Sequence, residues 1–239
     1  MNVLADILKD ADRLLTGKTK VLHGNFDRDG LLAALKTSPL AVIPSSDGEI
    51  STVQEAGDPA DYSRQSGYFD WHKDGLYCQT APHFILLYCE NPGRGDSPTV
   101  VVDTRPVVEE IFRRPEMQLL KDVELVYRGK MGDEHIHPVM GQHPLCHWPI
   151  LNLGSRAYLR PSLIPGRVGI TPTLREIMAA MTEVFRLLDK SVVLRHFWKK
   201  GDLLLIDNHA YLHGREAKSV DYKRKLLRAW LSVPNGGRQ

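Results

Sequence analysis

The chain has 239 residues, of which 42% are hydrophobic and 25% are charged. These values lie close to the averages of globular proteins and argue against disordered, collagen-like and coiled-coil classes. The 31 basic and 29 acidic side chains leave a net charge of +2, so the charge balance points to neither a nucleic acid nor a membrane as a partner.

A chain of this length can form one large domain or two small ones, and it can bury a core without disulfide bonds. Its three cysteines, Cys78, Cys89 and Cys146, are odd in number and irregularly spaced, which is typical of reduced thiols. The first ten residues contain acidic side chains and no long apolar run. We therefore expect neither a signal peptide nor a membrane-spanning helix, and a cytoplasmic location.

Two helices are predicted near the N-terminus. Apolar residues recur at helical spacing over residues 4–15, and residues 29–35 form a second short helical pattern. Residues 1–40 are thus expected to be a helical flank. Residues 45–67 are polar and rich in turn-forming residues, which predicts a long, lid-like loop.

Short apolar and β-branched runs with turn signals between them follow. They predict strands at residues 84–88, 99–102, 203–207 and 226–233, with a short helix at 106–112. The strongest helix pattern covers residues 173–188. Its predicted apolar face, interpreted as helix core, comprises Leu174, Ile177, Met178, Met181, Val184, Phe185 and Leu188. Together these elements favour an antiparallel barrel or sandwich with helical flanks over a βαβ fold.

His72 and Asp74 are the first candidates for a metal site. Residues two apart on an extended segment point to the same face, so both side chains can contact one ion. The third ligand has to come from a distant strand, and both His209 and His213 are candidates. Two imidazoles and a carboxylate with open coordination positions suit non-haem Fe(II) that activates O₂. The other histidines, including His135, His137, His143 and His147, receive no role from the sequence.

An ordered set of motifs between residues 66 and 231 resembles a known family. The set consists of His72-x-Asp74, Thr99 after a Gly-Asp-Ser-Pro segment, and His213 followed by Arg224. It is similar to the motifs of the Fe(II)/2-oxoglutarate-dependent dioxygenases of the taurine catabolism dioxygenase (TauD/TfdA-like) group. The resemblance implies a single oxygenase domain over residues 1–239, mainly β with flanking helices. Its expected core is a double-stranded β-helix (jelly roll, cupin-like) at residues 68–233, with a helical insert at 173–188.

The resemblance also implies roles for particular residues. His72, Asp74 and His213 are expected to be catalytic and to hold iron, which leaves His209 as a structural residue. Thr99 and Arg224 are expected to bind the distal carboxylate of 2-oxoglutarate, since the planar guanidinium pairs well with a carboxylate.

Further residues are expected to contact the substrate or the co-substrate. Arg228 lies four residues after Arg224, on the same strand face. The resemblance implies that it pairs with an anionic group of the substrate or with the other end of 2-oxoglutarate. Tyr68 and Arg156 are additional substrate-binding candidates. The expected reaction uses O₂ and hydroxylates, desaturates or cyclises a small polar, amino-acid-like metabolite, with release of succinate and CO₂. A carboxylate ligand at Asp74 favours these outcomes over halogenation, and the oligomeric state is open.

Other interpretations of the same residues stay open at this point. One is a cupin-like metal- or ligand-binding barrel without oxygenase activity, which would have no need of a carboxylate-binding pair such as Thr99 and Arg224. A metal-dependent hydrolase is less favoured, because no further acidic residue stands out as a general base. Arg224 and Arg228 could also be ordinary charges on an edge strand, and Thr99 an ordinary β-branched strand residue.

Overall fold

The computed structural model describes residues 8, 16–45, 48–54, 68–94, 96–128, 132–155, 159–163, 172–216 and 223–234. The elements in chain order are β1 (Thr19–His23), α1 (Arg28–Lys36), β2 (Ala41–Ile43), β3 (Ile50–Gln54), β4 (Phe69–His72), β5 (Phe84–Asn91), β6 (Thr99–Asp103), α2 (Arg105–Arg113), a 3₁₀ helix (Pro115–Asp122), β7 (Val123–Arg128), β8 (Glu134–Pro138), β9 (Met140–Gln142), β10 (Pro149–Leu151), β11 (Pro161–Leu163), α3 (Leu174–Leu188), β12 (Val192–His196), β13 (Asp202–Asp207), β14 (Tyr211–Arg215) and β15 (Lys225–Ser232).

Two antiparallel sheets build the core of the fold. The larger sheet has the order β1-β13-β5-β15-β2, with β3 also paired to β15, and the smaller sheet has the order β12-β6-β14-β4. Side chains of both sheets meet in one buried cluster, in which Ile85, Leu204 and Trp230 of the larger sheet join Val101 and Tyr211 of the smaller one. The chain thus has the mainly β, double-stranded β-helix architecture expected from its sequence. A three-stranded sheet (β11-β7-β8) and the β9-β10 pair lie outside these two sheets.

The central strand β5 is apolar on both faces because both faces are covered. Ile85 and Leu87 point into the cluster between the two sheets. Phe84 and Leu86 alternate with them and pack on the opposite side, against a cluster that includes Leu31 of α1. This two-sided burial explains why the strand appears in the sequence as a continuous apolar run without polar alternation.

The predicted helices at residues 29–35, 106–112 and 173–188 are confirmed as α1, α2 and α3, and the four predicted strands as β5, β6, β13 and β15. Helix α3 begins with a capping box between Thr173 and Glu176. The apolar face predicted for α3 is partly wrong, because Leu174 and Met178 are 63% and 40% exposed. These two residues lie on the solvent side of a narrower buried face, which comprises Ile177, Ala180, Met181, Val184, Phe185 and Leu188.

Two segments differ from the prediction by forming strands. Residues 19–23, within the expected helical flank, form β1, which pairs along its own whole length with residues 202–206 of β13. Residues 50–54, within the expected loop at 45–67, form β3, whose Ile-Ser-Thr-Val run is rich in β-branched residues and pairs with β15. Both segments are strands in the structure because their backbones pair with a neighbouring strand.

Parts of the N-terminal predictions lie outside the described residues. Of the helix expected at residues 4–15, only Leu8 is described, and it is helical and fully buried. Residues 46–47 and 55–67 of the expected lid are likewise outside the described ranges. Among the helices that the structure describes, none is long and apolar enough to cross a membrane.

Candidate metal centre

His72 and His213 lie side by side on neighbouring strands of the smaller sheet. His72 is the last residue of β4, and His213 lies directly opposite it in the antiparallel β4–β14 pair. Their ring centroids are 4.2 Å apart, and both side chains are buried. Cross-strand neighbours in such a register face the same side of the sheet, so the two imidazoles converge on one point.

Asp74 completes the group from a turn and not, as predicted, from an extended strand. β4 ends at His72, and Asp74 begins a turn in which Gly75 has a φ of 78°. The buried Asn208 fixes this turn: its Oδ1 accepts from the Asp74 amide at 3.0 Å, and its Nδ2 donates to the carbonyls of Asp74 (3.0 Å) and Pro82 (2.9 Å). The hydrogen bonds of Asn208, and not the geometry of a strand, therefore hold the Asp74 carboxylate beside His72.

The three side chains fit a metal ion. Asp74 Oδ1 lies 3.4 Å from Nε2 of His72 and 3.7 Å from Nε2 of His213. Nδ1 of His72 is 2.9 Å from the carbonyl oxygen of Asp70, which can only accept, so this nitrogen carries the proton and Nε2 keeps its lone pair for a metal. Within the part of the chain that the structure describes, no other group of three His, Cys, Asp or Glu residues brings its ligand atoms within 4.8 Å of one another.

The ligands are held in the protonation states that metal binding requires. Burial tends to raise the pKa of Asp74, but the Arg228 charge, the hydrogen bond with His72 and the His213 charge hold it well below its usual range. Burial, reinforced by His72, lowers the pKa of His213 to about 3 against the opposing effect of Asp74. At neutral pH the site thus presents an ionised carboxylate and a neutral His213 imidazole.

Thr99 and Arg224 meet on the inner side of the two sheets. Both residues are buried, and Nη2 of Arg224 donates to the Thr99 hydroxyl oxygen at 3.2 Å. Nε1 of Trp198, a residue that carried no sequence signal, donates to the same oxygen at 3.0 Å. Because these two donors use both lone pairs of the hydroxyl oxygen, the Thr99 hydrogen points elsewhere and can be donated to an incoming acceptor.

The position of this pair relative to the metal ligands follows from the register of β6 and β14. His213 is opposite Val101, and two residues along the strand Arg215 is opposite Thr99. Thr99 and Val101 share a strand face, so Thr99 lies about 7 Å along the sheet from the residue beside His213.

The edge-strand interpretation of the two arginines is wrong. β15 is hydrogen-bonded to β5 on one side and to β2 and β3 on the other. Arg228 shares the inner face of β15 with Leu226 and Trp230, and its Nη1 donates to Oδ2 of Asp74 at 3.1 Å. Arg224 lies immediately before the strand and also reaches inward, to Thr99.

Of the two remaining substrate-binding candidates, only Tyr68 is described, and it is not part of this group. Tyr68 is 49% exposed ahead of β4, and its hydroxyl donates to Asp70 at 3.2 Å. Its neighbour Phe69, which was not predicted, is the aromatic residue that packs on His72, with 4.1 Å between ring centroids. Arg156 lies outside the described residues.

His209 lies in a different polar cluster and is not in the metal-ligand group. It sits in the turn before β14, not on the strand as the spacing to His213 suggested. It is buried between His83 and His143, with ring centroids 5.6 and 5.5 Å away, and neither of its ring nitrogens has a hydrogen-bond partner among the described residues. His143 Nε2 is 2.9 Å from Asp207. His143 therefore joins this cluster, whereas His147 is exposed.

We expect His209 to make the protein less stable in acid. Burial, together with the Lys73, His143 and His83 charges, lowers its pKa well below the usual 6.5, so it stays neutral in the native state while the unfolded chain takes up a proton. This favours unfolding as the pH falls below about 6.5. His209→Gln should therefore recover about 1.4 kcal/mol of unfolding free energy relative to wild type between pH 7.5 and 5.5.

Urea unfolding at the two pH values measures this difference, with His147→Asn, which removes an exposed imidazole, as the control. If wild type and His209→Gln lose the same amount of unfolding free energy between the two pH values, His209 is protonated in the native protein.

The fold is a jelly roll, and its buried group combines two histidines and one carboxylate in an arrangement that could hold a metal ion. The family model of the taurine catabolism dioxygenase TauD, TfdA family matches residues 21–230. The chain belongs to this family.

Curated relatives are about a quarter identical to the chain over the aligned residues. A tyrosine isonitrile desaturase of Pseudomonas aeruginosa is 26% identical over 192 residues, which cover 76% of this chain and 65% of the relative. A 3-((Z)-2-isocyanoethenyl)-1H-indole synthase of Fischerella ambigua is 25% identical over 181 residues, or 71% of this chain and 65% of that protein. The chain thus spans about 65% of the length of these relatives.

Solved structures share the fold along nearly the whole chain. PvcB from Pseudomonas aeruginosa superposes with a TM-score of 0.70 at 22% identity, covering 95% of this chain and 79% of PvcB. An asparagine oxygenase in complex with Fe(II), 3-hydroxyasparagine and succinate superposes with a TM-score of 0.68 at 16% identity, covering 96% and 78%.

Proposed function

We propose that this protein is an Fe(II)- and 2-oxoglutarate-dependent oxygenase. The observation that carries the proposal is the presence of two complementary groups on one inner surface, the His72–Asp74–His213 group and the Thr99–Arg224 pair. Two imidazoles and a carboxylate suit Fe(II) with open positions, and a hydroxyl beside a guanidinium suits a carboxylate. A barrel that only binds metal has no use for the Thr99–Arg224 pair on the same inner surface as the three candidate ligands.

Each residue has a distinct task in the proposed reaction. His72, Asp74 and His213 would hold the iron on the side where the Nε2 atoms of the two imidazoles and Oδ1 of Asp74 converge. Arg224 and the Thr99 hydroxyl bind the distal carboxylate of 2-oxoglutarate, and Trp198 keeps the hydroxyl turned toward it. The bound iron supplies the coupling of O₂ and 2-oxoglutarate decarboxylation to oxidation of the substrate, and succinate and CO₂ are the products.

The proposed substrate is a small, polar, amino-acid-like molecule that is hydroxylated, desaturated or cyclised in a biosynthetic or catabolic pathway. Two relatives support this class: the tyrosine isonitrile desaturase and the asparagine oxygenase that holds hydroxyasparagine both carry an amino acid in their names. The buried surroundings of His72 and His213 also favour a small substrate, since the site lies between two packed sheets.

The proposal is tested by assaying purified, Fe(II)-loaded protein with 2-oxoglutarate, O₂ and a panel of amino acids and their isonitrile derivatives. Mass spectrometry should find a product that has gained one oxygen atom or lost two hydrogen atoms, with succinate formed in equal amount. The same mixture without O₂ is the control. If no candidate promotes succinate formation, if anaerobic Fe(II) and 2-oxoglutarate give no visible absorption band, and if zinc stays bound through purification, the metal-binding barrel without oxygenase activity is the better assignment.

A further inference from the structure

The two oxygens of the Asp74 carboxylate have separate partners. Oδ1 faces the imidazoles of His72 and His213. Oδ2 points the other way and accepts two hydrogen bonds from side chains of β15, one from Trp230 Nε1 at 2.9 Å and one from Arg228 Nη1 at 3.1 Å. One oxygen is thus directed to the metal side of the site and the other is engaged by the protein.

The Arg228 guanidinium is itself fixed by its neighbours. Its Nε donates to the hydroxyl of Ser51 at 3.2 Å, and Ser51 is buried directly opposite Arg228 in the β3–β15 pair. Its Cζ lies 5.3 Å from the centre of the Trp230 ring, a distance at which a cation and an aromatic ring attract each other. Ser51, Asp74 and Trp230 together therefore hold the guanidinium plane in one orientation.

The hydrogen bond from Trp230 to Asp74 does not depend on the charge of a substrate. The indole is buried, its ring lies 5.9 Å from that of Tyr77, and its N–H can only donate. The donor has one described hydrogen-bond acceptor, Asp74 Oδ2. An indole has no charge with which to bind an anionic substrate. We therefore interpret its hydrogen bond to Asp74 as a contact that positions the carboxylate.

We infer that Arg228 and Trp230 are positioning residues that make Asp74 bind the metal through one oxygen, with Ser51 as the anchor of Arg228. This inference rests on the proposed function and replaces the expectation that Arg228 pairs with an anionic group of the substrate or the co-substrate. A carboxylate that used both oxygens would take up a further coordination position. With Oδ2 retained by two donors, three protein ligands leave the remaining positions for 2-oxoglutarate and O₂.

The test compares Trp230→Phe, Arg228→Gln and Ser51→Ala with wild type. Trp230→Phe keeps the aromatic packing and removes only the donor, and Ser51→Ala leaves both donors to Oδ2 in place but frees the guanidinium. Anaerobic titration with Fe(II), and with Co(II) in the absence of co-substrate, measures metal affinity. We expect about 10- to 100-fold weaker metal binding in Trp230→Phe and Arg228→Gln, and a smaller loss of metal affinity in Ser51→Ala. The variants should also form more succinate per molecule of oxidised product than wild type does. The KM of the substrate should stay near the wild-type value in Trp230→Phe.

A different result would assign Arg228 to the substrate. If Arg228→Gln raises the substrate KM at least about tenfold while all three variants bind Co(II) like wild type, the positioning role is overturned. Circular dichroism and thermal melting confirm that each variant is folded. If wild type couples succinate formation to substrate oxidation while the variants bind metal with unaltered affinity, this inference is wrong and the proposed function stands. If the variants bind Co(II) more weakly than wild type but wild type never forms succinate, the inference is supported and the proposed function is wrong.

Discussion

Replacing His213 with alanine is expected to abolish tight Fe(II) binding and to reduce 2-oxoglutarate-dependent oxidation to background. His213 supplies one of three ligand atoms, and no other described residue offers a fourth within reach of them. Substitutions of residues that merely support a metal ligand cost about 10- to 100-fold in affinity, so loss of the ligand itself should cost at least about 100-fold. Anaerobic titration with Fe(II) and metal analysis of the reconstituted protein measure the loss.

His209→Gln is the matched control for this experiment. His209 is four residues from His213 and is buried in a comparable way, but it contacts His83 and His143 and lies outside the ligand group. We expect this variant to retain one bound iron. If instead His209→Gln loses the metal while His213→Ala binds iron and turns over normally, the third ligand is His209 and the proposed centre is wrong.

The choice between these two histidines shows where sequence reasoning stops. His209 and His213 are four residues apart, so strand periodicity places both side chains on one face of the sheet if one strand contains both residues. In the structure β14 starts only at Tyr211, so the periodicity argument does not apply to His209. A two-residue difference in where a strand begins therefore decides between the two candidate ligands, and only the resemblance to a family favoured His213 in advance.

Asp74 was predicted for a reason that the structure does not support. The motif His72-x-Asp74 indicated a shared metal, and the two side chains do converge. The backbone between them leaves the strand, and their proximity depends on Asn208, which is 134 residues away in the sequence. Long-range contacts of this kind cannot be derived from local periodicity.

The partners of the two arginines were predictable to different degrees. Arg224 was expected to act together with Thr99, and the two are hydrogen-bonded. Arg228 was expected on the same inner side, and it is there, but its contact with Asp74 depends on how β15 lies against the turn after β4. The strands at residues 123–163 were not predicted at all. They are short and carry many polar residues, such as those of β8, and become strands because a neighbour pairs with them.

Arg224→Gln should weaken 2-oxoglutarate binding by at least about 30-fold. The guanidinium is buried, and removing one partner of a buried charge pair costs about 2–5 kcal/mol. Thr99→Val, which removes one hydroxyl donor to a charged acceptor, should cost about 1.5–3 kcal/mol. Trp198→Phe should cost less than Thr99→Val, because it leaves the Thr99 hydroxyl in place and removes only the donor that orients it. Calorimetric titration of each anaerobic, metal-loaded variant with 2-oxoglutarate measures these effects.

A second co-substrate locates the lost interaction on the distal carboxylate. Wild type should bind 2-oxoglutarate far more tightly than a 2-oxo acid of the same length that lacks this carboxylate, because only the former can pair with Arg224. In Arg224→Gln the two compounds should bind with similar affinity, while Fe(II) binding without co-substrate stays at the wild-type level, since Arg224 is not among the metal ligands. If Arg224→Gln keeps the preference for 2-oxoglutarate and instead raises the KM of the substrate, the guanidinium binds the substrate and the carboxylate site lies elsewhere.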